Sequence, residues 1–223
     1  MSRLSDSKDP LLWQQLAGLI SAPNENSLNE LVRFFAMEFS ADSCSLYLLD
    51  ERTDELVLRC AHGDAQGQID RFRLGQGITG AAAFHRKIIQ VSHMQQDPRY
   101  VLRSNPDARS QFESIIVIPI KEGDDLRGVI NLKSRTLRRF SEAEVRILED
   151  ISPLVLALLN AVDVDETMRR RSDEVRALNE LGQAMNTGLE LDESLALIAS
   201  LAADVLRARG AAIRLIVEDG SLA

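Results

Sequence analysis

The apolar residues of this chain change their spacing twice, and that change limits the fold more than any other feature. Over Leu11–Ile20 they recur at helical intervals (Leu12, Leu16, Leu19, Ile20), and again over Ser27–Phe39 (Leu28, Leu31, Val32, Phe35, Phe39). From Cys44 the interval becomes two: Cys44, Leu46 and Leu48, a polar turn at Asp50–Asp54, then Leu56, Leu58 and Cys60. From Ser141 the helical interval returns through Val145, Leu148, Ile151, Val155, Leu158, Leu159 and Val162. Helices flanking a strand-rich middle, with strands joined by short polar turns, predict an α+β domain built on antiparallel hairpins.

The remaining strands follow from the same reading. Ile69–Leu74 is a third strand, stopped by Gly75-Gln76-Gly77; Thr79–Arg86 is a short helix and Ile88–Val91 a short strand. Ser92–Phe112 is polar, contains Pro98 and Pro106, and reads as an irregular loop, a kind of segment that often carries function. Ser114–Ile120 is an unbroken apolar run and reads as a central strand, paired across Gly123-Asp124-Asp125 with Arg127–Leu132. The sum is a central antiparallel sheet of about six strands with helices packed on it. Two capping boxes are expected, Ser27 with Glu30 and Ser141 with Glu144, and Pro153 should kink the last helix.

Beyond Val162 the chain becomes charged, and Val164, Met168, Arg171, Val175, Leu178, Gly182 and Met185 fall in alternating steps of four and three. That is a coiled-coil seam with weak points at Arg171 and Gly182, suited to pairing in parallel with a second copy. Farther on, Ser194-Leu195 opens a helical pattern followed by Ala211, Ile213 and Leu215, as Ser27-Leu28 is followed by Cys44, Leu46 and Leu48. The expected organisation is one domain over 1–160, a helical linker over 161–183, and over 184–223 the truncated start of a second copy of the first.

Composition narrows the function. Twenty-six basic against 34 acidic residues give a net charge of −8, opposed to counterion-release binding of nucleic acid. No apolar run reaches the roughly eighteen residues of a membrane span, no signal peptide opens the chain, and two distant cysteines suit a reducing compartment, so a cytoplasmic location is expected. His62, His85 and His93 share no metal-ligand spacing, and no catalytic motif stands out. Gly75, Gly77 and Gly80 spell G-x-G-x-x-G, but among hairpins rather than in a parallel βαβ unit. With Leu48 facing Leu56 and Leu46 facing Leu58, Cys44 would lie opposite Cys60, as two small buried residues or as a redox pair. The basic run Arg169–Arg171 sits among acids and reads as a solvated, salt-bridged face.

Five segments together resemble the GAF family of sensor domains: Arg73-Leu74-Gly75-Gln76-Gly77-Ile78-Thr79-Gly80, Asp97-Pro98-Arg99-Tyr100, Ser114–Ile120, Gly128-Val129-Ile130-Asn131-Leu132, and Phe140-Ser141-Glu142-Ala143-Glu144. The resemblance implies a GAF/PAS-like fold with a small-molecule pocket between one sheet face and the Ser92–Phe112 loop. Thr79, His93, Asp97, Tyr100 and Ser114 would line it. It implies a sensory input region of a bacterial signalling protein, such as a two-component histidine kinase, relaying to an output domain through the last helix of a parallel homodimer. A ligand-free dimerisation module and a redox sensor or enzyme using Cys44 and Cys60 are the alternatives. GAF-type methionine sulfoxide reductases place cysteines in the pocket loop, where this chain has none. The pattern of the cyclic-nucleotide members is only partly met: Lys133 follows Asn131 one place late, and Glu144-Val145 stands where they carry an acidic pair. No ligand or cofactor is assigned.

Overall fold

The computed structural model describes residues 10–63, 70–100 and 112–186. Four helices are present, α1 (Pro10–Ser21), α2 (Ser27–Glu38), α3 (Gly77–His85) and α4 (Glu142–Asn186). Six strands accompany them: β1 (Ser43–Asp50), β2 (Glu55–His62), β3 (Arg71–Arg73), β4 (Ile89–Val91), β5 (Ser114–Glu122) and β6 (Asp125–Ser134). They form one sheet in the order β3-β2-β1-β6-β5-β4, and every pairing is antiparallel. That topology contains no βαβ unit, so the glycine spacing at Gly75–Gly80 is not a dinucleotide fingerprint.

β1, β6 and β5 lie inside the sheet and are covered on both faces, so apolar residues of both phases are buried. One face carries Cys44, Leu46, Ile116, Ile118, Ile120, Ile130 and Leu132, packed with α2 and with Leu148, Ile151, Val155 and Leu158 of α4. The other carries Tyr47, Ile115, Val117 and Val129, packed with Ile78, Ala82 and Ala83 of α3 and with Met94 and Phe112 from the loop after β4. β4 pairs only with Ile115–Val117, so Pro119 sits where β5 has no outer strand to supply with an N–H.

Two local expectations need correction. Ser27 does not cap α2: Asn26 precedes the helix, no side-chain cap bond forms, and Ser27 Oγ instead accepts the Asn24 N–H at 2.9 Å. The β1–β2 register also differs, because an irregularity between Leu46 and Tyr47 shifts the ladder by one place. Leu46 therefore faces Cys60, Cys44 faces His62, and the two cysteines are diagonal neighbours on one sheet face rather than an opposed pair. The Ser141–Glu144 box does form, with Ser141 N and Oγ donating to Glu144 Oε2 at 2.8 and 2.9 Å and Glu144 N donating back to Ser141 Oγ at 3.3 Å.

The other Glu144 oxygen receives Arg138, whose second guanidinium nitrogen donates to the carbonyls of Phe39 and Ser40 at the end of α2. Arg138 also lies over the Phe140 ring, 4.3 Å from its centroid. One guanidinium thus ties the end of α2, the segment after β6 and the start of α4. α4 continues through Pro153, and the neighbouring Ser152 Oγ donates to Pro119 O at 3.1 Å.

The chain divides into two compact units between Asp163 and Val164. In the second, α4 exposes Val164, Met168 and Val175 at 53, 65 and 57%, and Arg169 bridges Asp165 at 2.8 Å. The expected second copy, from Ser194 onward, lies outside the described residues. Among the described residues, no helix is long and apolar enough to cross a membrane.

Candidate functional site

The strand-to-helix turn before α3 sets the site. Gly77 opens the helix at φ +69°, a conformation that favours glycine. A Cβ on Gly80 would fall 2.3 Å from the Arg73 carbonyl oxygen. That closeness holds α3 against β3 and brings Thr79, in the first turn, over the middle of the sheet. There Thr79 is buried and its Oγ1 accepts a hydrogen bond from Asn131 Nδ2 at 3.0 Å.

Asn131 belongs to a polar patch on an otherwise apolar face. Across the β1–β6 ladder it faces Ser45, and one step along that face Lys133 faces Ser43. On the far side Val117 flanks Asn131 and Ile115 flanks Lys133. Ser43, Ser45 and Asn131 are 1, 0 and 1% exposed. Ser43 Oγ, Ser45 Oγ and Asn131 Oδ1 are the side-chain oxygens and nitrogens, among the described buried ones, that lack a hydrogen-bond partner. A buried polar atom without a partner costs about 1–3 kcal/mol, and three of them on adjacent positions mark a place built to bond something else. Lys133 carries its ammonium 5.6 Å from the centroid of Phe112.

The five residues expected to line a pocket do not all gather here. Thr79 does, through Asn131, and half-buried Tyr100 packs on the same cluster. His93 is exposed. Asp97 is engaged locally: its carboxylate accepts the Arg99 backbone N–H at 2.9 Å and the guanidinium at 2.8 and 2.7 Å. Those bonds hold the Asp97 carboxyl below its ordinary range. Ser114 is buried on the face of α2 and α4, in phase with Ile116, and its hydroxyl donates to Thr136 O at 2.9 Å. Ser43 and Ser45 were invisible to sequence reasoning because alternate serines in a strand read as its wet side. Asn131, a lone amide within an apolar strand, was the available signal.

The cysteines show no sign of chemistry. Burial pushes the Cys60 thiol up to about 12, against the smaller opposing effect of Arg59, and its Sγ donates to Leu28 O at 3.4 Å. Cys44 is raised by burial first and by Cys60 second. Protonated thiols are poor nucleophiles. Among the described residues, no three His, Cys, Asp or Glu side chains gather as a metal site would require. Two grooves of about 560 and 370 Å³, at Gln90–Arg146 and beneath Phe84, lie away from the polar patch.

The fold and the α3 turn are those expected from the resemblance, and comparison with known proteins agrees. The sequence model of the GAF domain family matches residues 25–160. The chain belongs to the GAF family. GAF domain-containing protein A of Dictyostelium discoideum is 28% identical to it over 148 residues, 65% of this chain and 87% of that one. Among solved structures, the GAF domain of a phosphoenolpyruvate-protein phosphotransferase from Coxiella burnetii aligns at a TM-score of 0.59 and 22% identity, covering 77% of this chain and 99% of that one. The free methionine-R-sulfoxide reductase of Neisseria meningitidis, solved with its substrate, aligns at 0.60 and 22%, covering 74% and 99%. At that identity the GAF structures establish the fold and leave the ligand of this one to its own residues.

Proposed function

We propose that this GAF domain is a regulatory sensor that holds a small molecule against the Ser43–Ser45–Asn131 patch. The observation that carries the reading is the set of three buried, unpartnered oxygens on neighbouring positions of one sheet face. A ligand bonding them would recover what the empty patch forgoes. The signal would pass from β6 through the Arg138–Glu144 tie into α4, because Asn131 and Arg138 stand on the strand and segment that lead into that helix. The domain acts without a reaction of its own, in a cytoplasmic signalling protein of bacterial type, with an output such as a histidine kinase beyond α4. The likeness of 194–215 to 27–48 supports a second GAF domain beginning near residue 184. Exposed Val164, Met168 and Val175 support pairing of α4 in parallel with a second copy.

The patch can be tested without knowing the ligand. Ser43→Ala and Ser45→Ala each remove an unpartnered hydroxyl at little change of shape. Each should stabilise the ligand-free chain by about 1 kcal/mol, roughly 2–4 °C in Tm. Thermal unfolding that shows both substitutions to be destabilising would mean that the hydroxyls are structural, and the patch would lose its standing as a site.

A further inference from the structure

We infer that the ligand of this patch is a compact monoanion whose other end is a neutral hydrogen-bond donor, a small hydroxy acid in the simplest case. The inference rests on the sensor reading above and adds the chemical class.

The argument starts at Asn131. Its amide nitrogen is committed to Thr79 Oγ1, and its orphaned atom is the carbonyl oxygen, which can only accept. Whatever meets it must bring an N–H or O–H. That donor is neutral, because a cation buried here would have no counter-charge. Glu144 is the sole buried carboxylate among the described residues; it belongs to the opposite side of the sheet and is bonded to Arg138. The residues of the four neighbouring strands that share this face, Ser45, Tyr47, Ile115, Val117, Val129, Ile89 and Val91 among them, include no acid.

At the other end the charge is positive. Lys133 stands one step from Asn131 along the same face of β6, with Ser43 across from it. Two residues of strand separate the rows by about 6.8 Å, which sets the reach from the donor end to the acid end. An anion beside Lys133 makes the buried ensemble neutral, whereas a zwitterion or a cation would leave one positive charge uncompensated. The two serine hydroxyls donate or accept as needed, so each bonds the end of the ligand nearest its own row. Ile115 and Val117 beside the patch leave the body of the ligand an apolar neighbour.

The test is ligand-observed NMR on the full chain with probes that vary one group at a time. They are α-, β- and γ-hydroxybutyrate, then butyrate without the hydroxyl, butane diol without the acid, and γ-aminobutyrate with a charged donor. At least one hydroxybutyrate should bind about tenfold tighter than each control, the worth of one charge-assisted bond or one buried donor. Lys133→Met should erase the advantage over the diol, and Asn131→Ala the advantage over butyrate. Hydroxybutyrates that bind no tighter than the controls would overturn the class. If the diol or γ-aminobutyrate were preferred and lost affinity in Asn131→Ala, the pocket would stand and the class alone would fall. If every probe bound equally to wild type, Asn131→Ala and Ser45→Ala, both would fall. If none bound, the class would fall, and the melting temperatures of Ser43→Ala and Ser45→Ala would judge the pocket.

Discussion

Cys60 shows how a side chain's surroundings decide what it can do. In the open chain its thiol would titrate near 9.0; the folded chain holds it at about 12 by burial. The folded state therefore keeps a proton that the unfolded state gives up. The resulting stability is full below pH ~9 and is lost as pH climbs toward 12. Cys60→Ala should flatten this alkaline fall in a pH series of melting curves. By the same cause, iodoacetamide at neutral pH should leave both cysteines of the native chain unlabelled and modify both in denaturant; rapid native labelling would restore the redox alternative. The polar patch obeys the same logic in reverse. Ser45 and Asn131 are costly where they stand, and their retention in a dry face makes sense through what they bind.

At the scale of elements, two short connections set the architecture. The turn from β3 into α3 works because Gly80 lets the helix touch the Arg73 carbonyl, which also receives the Gln76 N–H at 2.9 Å. Gly80→Ala would force a Cβ against a backbone oxygen that cannot retreat, and should cost about 3 kcal/mol in a denaturant titration. The second connection is Arg138. Glu144→Ala would leave its half-buried guanidinium without a counter-charge and should lower stability by about 3 kcal/mol. The paired replacement Arg138→Met with Glu144→Leu should recover most of that loss. A double variant as unstable as the single one would show that the tie contributes more than its charges.

At the scale of the whole molecule, the open question is what covers the outer part of α4. A stripe of Val164, Met168 and Val175 exposed on a charged helix is satisfied by a second α4 in register. Light scattering should give a dimer mass for the full chain. Met168→Glu with Val175→Glu should return a monomer while leaving the melting of residues 1–163 unchanged. A monomer in the unaltered chain would end the pairing proposal.

The amino-acid order alone determined which segments are helix and which are strand, because hydrophobic period is a local property set by backbone geometry. The turns at Gly75–Gly80 and Ser141–Glu144 were legible for the same reason: their chemistry lies within a few residues. Tertiary structure decided what depends on neighbours distant in sequence. An irregularity at Leu46–Tyr47 moved Cys44 off Cys60, strand phase sent Ser114 to the side away from Thr79, and the position of β1 inside the sheet buried serines that alternation alone would have placed in water. A strand's two faces are told apart by what packs on them, and that is known only once the chain has folded.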